Sequence, residues 1–88
     1  MENQYFDPKI LRQMRREAEL YQKDLAEALG VSRETVLHIE KGKKSSVRSL
    51  ELSLIRRWYL ICAENTSPTT KKNFAKQVMD YLMISELP

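Results

Sequence analysis

The sequence predicts an all-α fold, and three observations carry that prediction. Only two glycines and three prolines punctuate the 88 residues, too few for the frequent tight turns that sheets require. The β-branched residues are scattered instead of gathered in alternating runs. Apolar side chains recur at three- and four-residue spacing between residues suited to helix ends. With 42% hydrophobic and 31% charged residues the chain has enough apolar surface to bury, and its 10.4 kDa accommodates one hydrophobic core.

Asp7-Pro8 marks the first helix, because Asp accepts hydrogen bonds from free N–H groups and Pro costs no donor at the first helical position. The helix is expected over 8–18, with Ile10, Leu11, Met14 and Ala18 on its apolar stripe and Lys9, Arg12, Arg15 and Arg16 around the rest. A second helix, 22–29, places Leu25, Ala26 and Leu29 on one face and stops at Gly30, which readily takes the left-handed conformation. Ser32 caps a third helix that presents Val36 and Ile39 inward, runs to Lys41 and closes at Gly42. After a polar connector, Lys43 to Ser46, with Ser46 as cap, a long fourth helix is expected over 47–64. It carries two apolar stripes, Val47, Leu50, Leu54, Trp58 and Ile61 on one side and Leu52, Ile55, Tyr59 and Cys62 on the other. Ser67-Pro68 repeats the cap-then-proline signal for a fifth helix, 68–85, whose Phe74, Val78, Tyr81 and Leu82 share a face.

Composition narrows the function. One cysteine, Cys62, forbids an internal disulfide, and with a single histidine, His38, no zinc tetrad can be assembled. The first eight residues have no signal-peptide pattern and no apolar run reaches membrane-spanning length, so the chain is expected to be cytoplasmic. There is no glycine-rich phosphate loop, no cysteine–histidine pair within reach and no metal cluster, so neither an enzyme nor a cofactor site is expected. The net charge of +3 is unevenly spread. Residues 30–57 carry seven basic and three acidic side chains, against five and six in 1–29 and three of each in 58–88. A basic middle suits a polyanionic partner.

The informative stretch is 22–41, QKDLAEALGVSRETVLHIEK. Ala26 supplies the small residue a helix crossing needs, Gly30 the turn, and Leu25, Leu29, Val31, Val36 and Ile39 the inner anchors of a helix-turn-helix. Gln22, Leu25-Ala26, Leu29-Gly30-Val31-Ser32, Thr35-Val36, Ile39-Glu40 and Gly42 together resemble the lambda-repressor-like (Cro-type, XRE-type) helix-turn-helix family over residues 9–62. The resemblance implies a five-helix lambda-repressor-like domain with a C-terminal helical extension. Residues 1–64 would be the DNA-binding domain and 65–88 a packing or dimerisation helix.

It also implies roles. The second helix of the motif would enter the major groove of double-stranded DNA, directing Arg33, Glu34 and His38 toward base edges. Arg33 can give a bidentate pair to guanine, and Glu34 can accept from cytosine or restrain Arg33. Gln22, Tyr21, Ser32, Thr35, Lys43, Lys44 and Arg48 would meet the DNA backbone. Arg15 and Glu40 would form a structural ion pair. Leu37 stands where the family usually has a polar residue, and either touches a thymine methyl or packs against the fourth helix. The surplus apolar residues Leu52, Ile55, Tyr59, Phe74, Val78, Tyr81 and Leu82 are candidates for a homodimer interface, unless the fifth helix folds back over the second stripe. The implied function is a sequence-specific regulator, most simply a repressor that binds an inverted repeat as a homodimer. The alternative is an antitoxin-type protein that binds its operator and a co-encoded protein partner.

Overall fold

The computed structural model describes residues 6–48 and 50–86, except for the side chains of Arg48 and of residues 84–86. Over these residues the chain forms six α-helices: α1 Lys9–Glu17, α2 Gln22–Leu29, α3 Arg33–Glu40, α4 Lys44–Arg48, α5 Leu52–Cys62 and α6 Pro68–Glu86. A 3-10 turn, Ala63–Asn65, separates the last two, and no strand occurs among the described residues.

Local chemistry sets most helix ends. Asp7 Oδ1 accepts the Lys9 N–H at 3.0 Å, and the Pro8 carbonyl accepts from Leu11 and Arg12. α1 ends where Glu19 adopts φ 59°, which lets the Leu20 N–H return to the Arg15 carbonyl at 3.2 Å. Gly30, at φ 76°, closes α2 by directing the Val31 N–H to the Ala26 carbonyl at 3.0 Å. A Cβ at Gly30 would meet nothing within 4 Å, so glycine is required there by its backbone angle and not by space. Gly42, at φ 77°, ends α3 in the same way, with the Lys43 N–H on the His38 carbonyl at 3.0 Å.

The long helix expected over 47–64 is two helices. α4 begins at Lys44, inside the expected connector, and Ser46 lies within it instead of capping it. Glu51 then returns to extended backbone, φ −87° and ψ 147°, and its carbonyl accepts from Leu54 and Ile55 to start α5. Burial explains the break. One straight helix could not turn both apolar stripes toward a single core. After the bend, Val47 and Leu50 are buried from one direction, while α5 buries Ile55, Trp58 and Cys62, a face drawn from both stripes.

The core lies where α1, α2, α3 and α5 meet. Leu11, Met14, Leu25, Val36 and Trp58 are fully buried there, each such apolar side chain contributing about 1.5–3 kcal/mol. The indole Nε1 of Trp58 donates to the Leu11 carbonyl at 3.0 Å, so the largest core side chain leaves no polar atom unpaired. Phe6, which no periodicity marks, is buried edge-on to Phe74 and Tyr81 with centroids 6.1 Å away in both cases. Burial also raises the Cys62 thiol pKa to about 11.

α6 folds back along α1, and its Phe74 stacks on Tyr59 of the second stripe. Several residues expected at a subunit interface therefore belong to the interior of one chain. Ile55 and Phe74 are buried, and Tyr59 stacks on Phe74 at 4.8 Å. Val78 and Tyr81 are half-buried against the same core. Leu82 is half-buried, and Leu52 is exposed.

A polar clamp fixes the start of α6. Ser67 Oγ accepts the Thr70 N–H at 3.2 Å as N-cap. Glu17 receives the Ser67 N–H at 2.8 Å and the Thr70 hydroxyl at 2.7 Å. The Ser67 N–H first, and the Thr70 hydroxyl next, hold the Glu17 carboxyl below its ordinary value of 4.5. A depressed carboxylate pKa contributes stability that is present above the unfolded value and lost as pH falls through the folded one. Glu17→Gln should therefore unfold more easily than the parent at neutral pH. Urea titrations at successively lower pH should show the difference shrinking once pH drops below 4.5.

Candidate nucleic-acid interface

α3 is fixed on three sides and open on the fourth. Val36, Ile39 and Glu40 face inward, while Arg33, Glu34 and Lys41 are exposed and Leu37 and His38 are half-buried. At 3.6 residues per turn, Arg33, Glu34, Leu37, His38 and Lys41 all fall on the outer half of the helix. α6 lies along α1, and the outer edge of α3 is left to solvent.

The first turn of α3 is held by Ser32. Its Oγ accepts the Thr35 N–H at 3.1 Å and shares a 2.9 Å hydrogen bond with the Thr35 hydroxyl. Only one hydroxyl proton is consumed between the two, so the pair keeps one O–H able to donate outward. Arg33 and Glu34 project beside this cap. His38 sits at the other edge, in a cavity of about 250 Å³ that it lines with Thr35, Ile39, Ser46, Leu50 and Leu54. Leu37 is half-buried. It lines a notch on the α1 side with Arg12, Arg15, Gln22, Glu40 and Lys41.

Behind α3, Arg15 and Glu40 form a bidentate pair. Arg15 Nε lies 2.7 Å from Glu40 Oε2 and Arg15 Nη2 lies 3.0 Å from Oε1. The two side chains are only 12% and 3% exposed. Arg15 Nη1 also donates to the Leu20 carbonyl at 2.7 Å, and Gln22 Nε2 donates to Glu40 Oε1 at 3.1 Å. The network joins α1, the turn after it, the start of α2 and the end of α3. Gln22 thereby braces α3 and still has a second amide proton facing away from the carboxylate.

The other expected backbone contacts are placed as follows. Tyr21 is exposed at the start of α2, where its N–H donates to Asp24 Oδ2 at 3.4 Å. Asp24 supplies the reciprocal half of a capping box at Tyr21, and this acid in the first turn was the readable signal for a helix start without a Ser or Thr cap. Lys43 is exposed between α3 and α4, and Lys44 is exposed at the first position of α4. The Arg48 side chain lies outside the described residues. The exposed cations Arg12 and Lys41, beside the outer edge of α3, were not singled out from the sequence, because they come together only when α1 meets α3.

A sequence profile for the helix-turn-helix domain matches residues 10–56, more than half of the chain. The chain belongs to the helix-turn-helix domain family. Comparison with curated proteins and with solved structures gave no match. The helix-turn-helix pair here is α2 and α3, joined by the Gly30 turn, and family membership implies DNA binding in a regulatory role. No helix among the described residues is long and apolar enough to cross a membrane.

Breaking the Arg15–Glu40 pair from one side leaves a nearly buried charge unpaired. Glu40→Ala should cost about 3 kcal/mol by chemical denaturation, well above the 0–1 kcal/mol or so of an exposed pair. Loss of less than about 1 kcal/mol would show that solvent reaches Arg15 readily.

Proposed function

We propose that this helix-turn-helix protein is a sequence-specific regulator of transcription, a repressor that places α3 in the major groove of double-stranded DNA and binds an inverted repeat as a homodimer. The observation that carries the reading is the free outer face of α3, with Arg33 and Glu34 exposed on its first turn while its inner face is locked by core and ion pair. In this reading Arg33 and Glu34 meet base edges, and His38 reaches a neighbouring base from the α4 side. Gln22, Tyr21, Ser32, Thr35, Lys43, Lys44 and Arg48 meet the sugar–phosphate backbone.

Pairing of two copies matches a two-fold operator whose half-sites lie one helical turn apart. In this scheme residues 1–64 carry DNA recognition and 65–88 supply the dimer face. Met79 and Met83 support this, because they are 57% and 60% exposed and sit one turn apart on α6. Removing α6 would take Phe74 out of the core and uncover Tyr59, so point changes on its outer face are the cleaner probe. Met79→Glu combined with Met83→Glu should yield a monomer by sedimentation without lowering helicity; a persistent dimer would move the interface elsewhere.

Selection from a randomised duplex pool tests the reading as a whole. The parent protein should enrich a two-fold symmetric site. Arg33→Ala should lose preference at one base pair per half-site, a discrimination of about 1–3 kcal/mol, with the other positions unaltered. An unchanged profile would remove Arg33 from base reading.

A further inference from the structure

We propose that Arg12 and Lys41 form a further backbone-binding ledge, seating one DNA phosphate in the notch between α1, the start of α2 and the end of α3. The inference rests on the DNA-binding reading above and adds a contact that the motif does not contain. The notch has a volume of about 180 Å³. That is several times the roughly 30 Å³ share of one water, room for a phosphate with part of its hydration shell.

Its charges are already sorted. Arg15 and Glu40 satisfy each other, and Gln22 adds a hydrogen bond to the carboxylate. The positive charge left over belongs to Arg12 and Lys41, both exposed and neither in an ion pair among the described residues. The nearby acid on α1, Glu17, is taken by Ser67 and Thr70. Arg12 also lines a second cavity with Lys9, Gln13, Arg16 and Glu17, where the cations outnumber the one acid.

Position selects a backbone phosphate as the occupant. Leu37 and Lys41 stand on the same outer edge of α3 as Arg33, and Gln22 opens α2, so a duplex touching Arg33 runs its backbone past the notch. The N-terminus of α2 already carries the Asp24 carboxylate on the Tyr21 N–H. An arriving phosphate is therefore drawn to the side where Arg12 and Lys41 stand. Arginine at one wall supplies forked donors and lysine at the other a mobile point charge.

The test uses the whole 88-residue chain and the duplex it enriches from the randomised pool. Arg12→Gln with Lys41→Gln should flatten the dependence of log K on log salt by about 0.9, the increment for one phosphate, and leave the base profile unchanged. Arg12→Lys should keep the parental slope, because the charge remains. Either single glutamine variant with an intact thermal melt serves if the double variant folds poorly. A parental slope in a folded glutamine variant overturns the ledge and leaves the regulator reading standing. A changed base profile overturns it too, by making these side chains base readers. Failure of the parent protein to enrich any duplex overturns both.

Discussion

The arrangement of α3 depends on one carboxylate. Glu40 ends α3 nearly out of reach of water, and an isolated charge there would be prohibitive without donors. It receives two from Arg15 and one from Gln22, while Arg15 also holds the Leu20 carbonyl. Four pieces of chain are thereby referred to a single charge. Well-packed apolar residues can often match a buried pair in net stability, so what this one supplies is direction. The forked guanidinium accepts the carboxylate in one plane, and that plane sets how α3 is rotated and which residues look outward.

α1 is the hub through which the rest of the fold is connected. Its inner face supplies Leu11 and Met14 to the core, and its Leu11 carbonyl takes the Trp58 indole. Arg15 orients the motif, and one half-turn further Glu17 catches the start of α6. α1 thus fixes both the helix-turn-helix pair and the C-terminal helix. Its remaining positions, Lys9, Arg12 and Arg16, are free to carry charge on the surface.

The all-α architecture and the α2–α3 unit were legible because local signals decide them. Gly30, Ser32 and Gly42 act within a few residues of themselves, and Leu25, Leu29, Val36 and Ile39 declare a face by spacing alone. The split between α4 and α5 was not legible. Residues 47–62 satisfy helical spacing on either side of Glu51, and only burial of Val47, Leu50, Ile55 and Trp58 in one core forces the bend. Phe6 and the Glu17–Ser67 clamp were hidden for a related reason, since their partners lie far along the chain. In the candidate interface, the exposed first turn of α3 followed from pattern. The notch under Leu37 did not, because its walls come from three helices.

The seclusion of Cys62 has a further consequence. A lone thiol on the surface would let two copies become joined by a covalent bond under oxidation, making their association permanent. Here the sulfur is enclosed and kept protonated, so it offers no such link. Any pairing of this chain is then reversible and governed by mass action. In the proposed homodimer, dilution would separate the copies and empty a two-fold site more steeply than a single one.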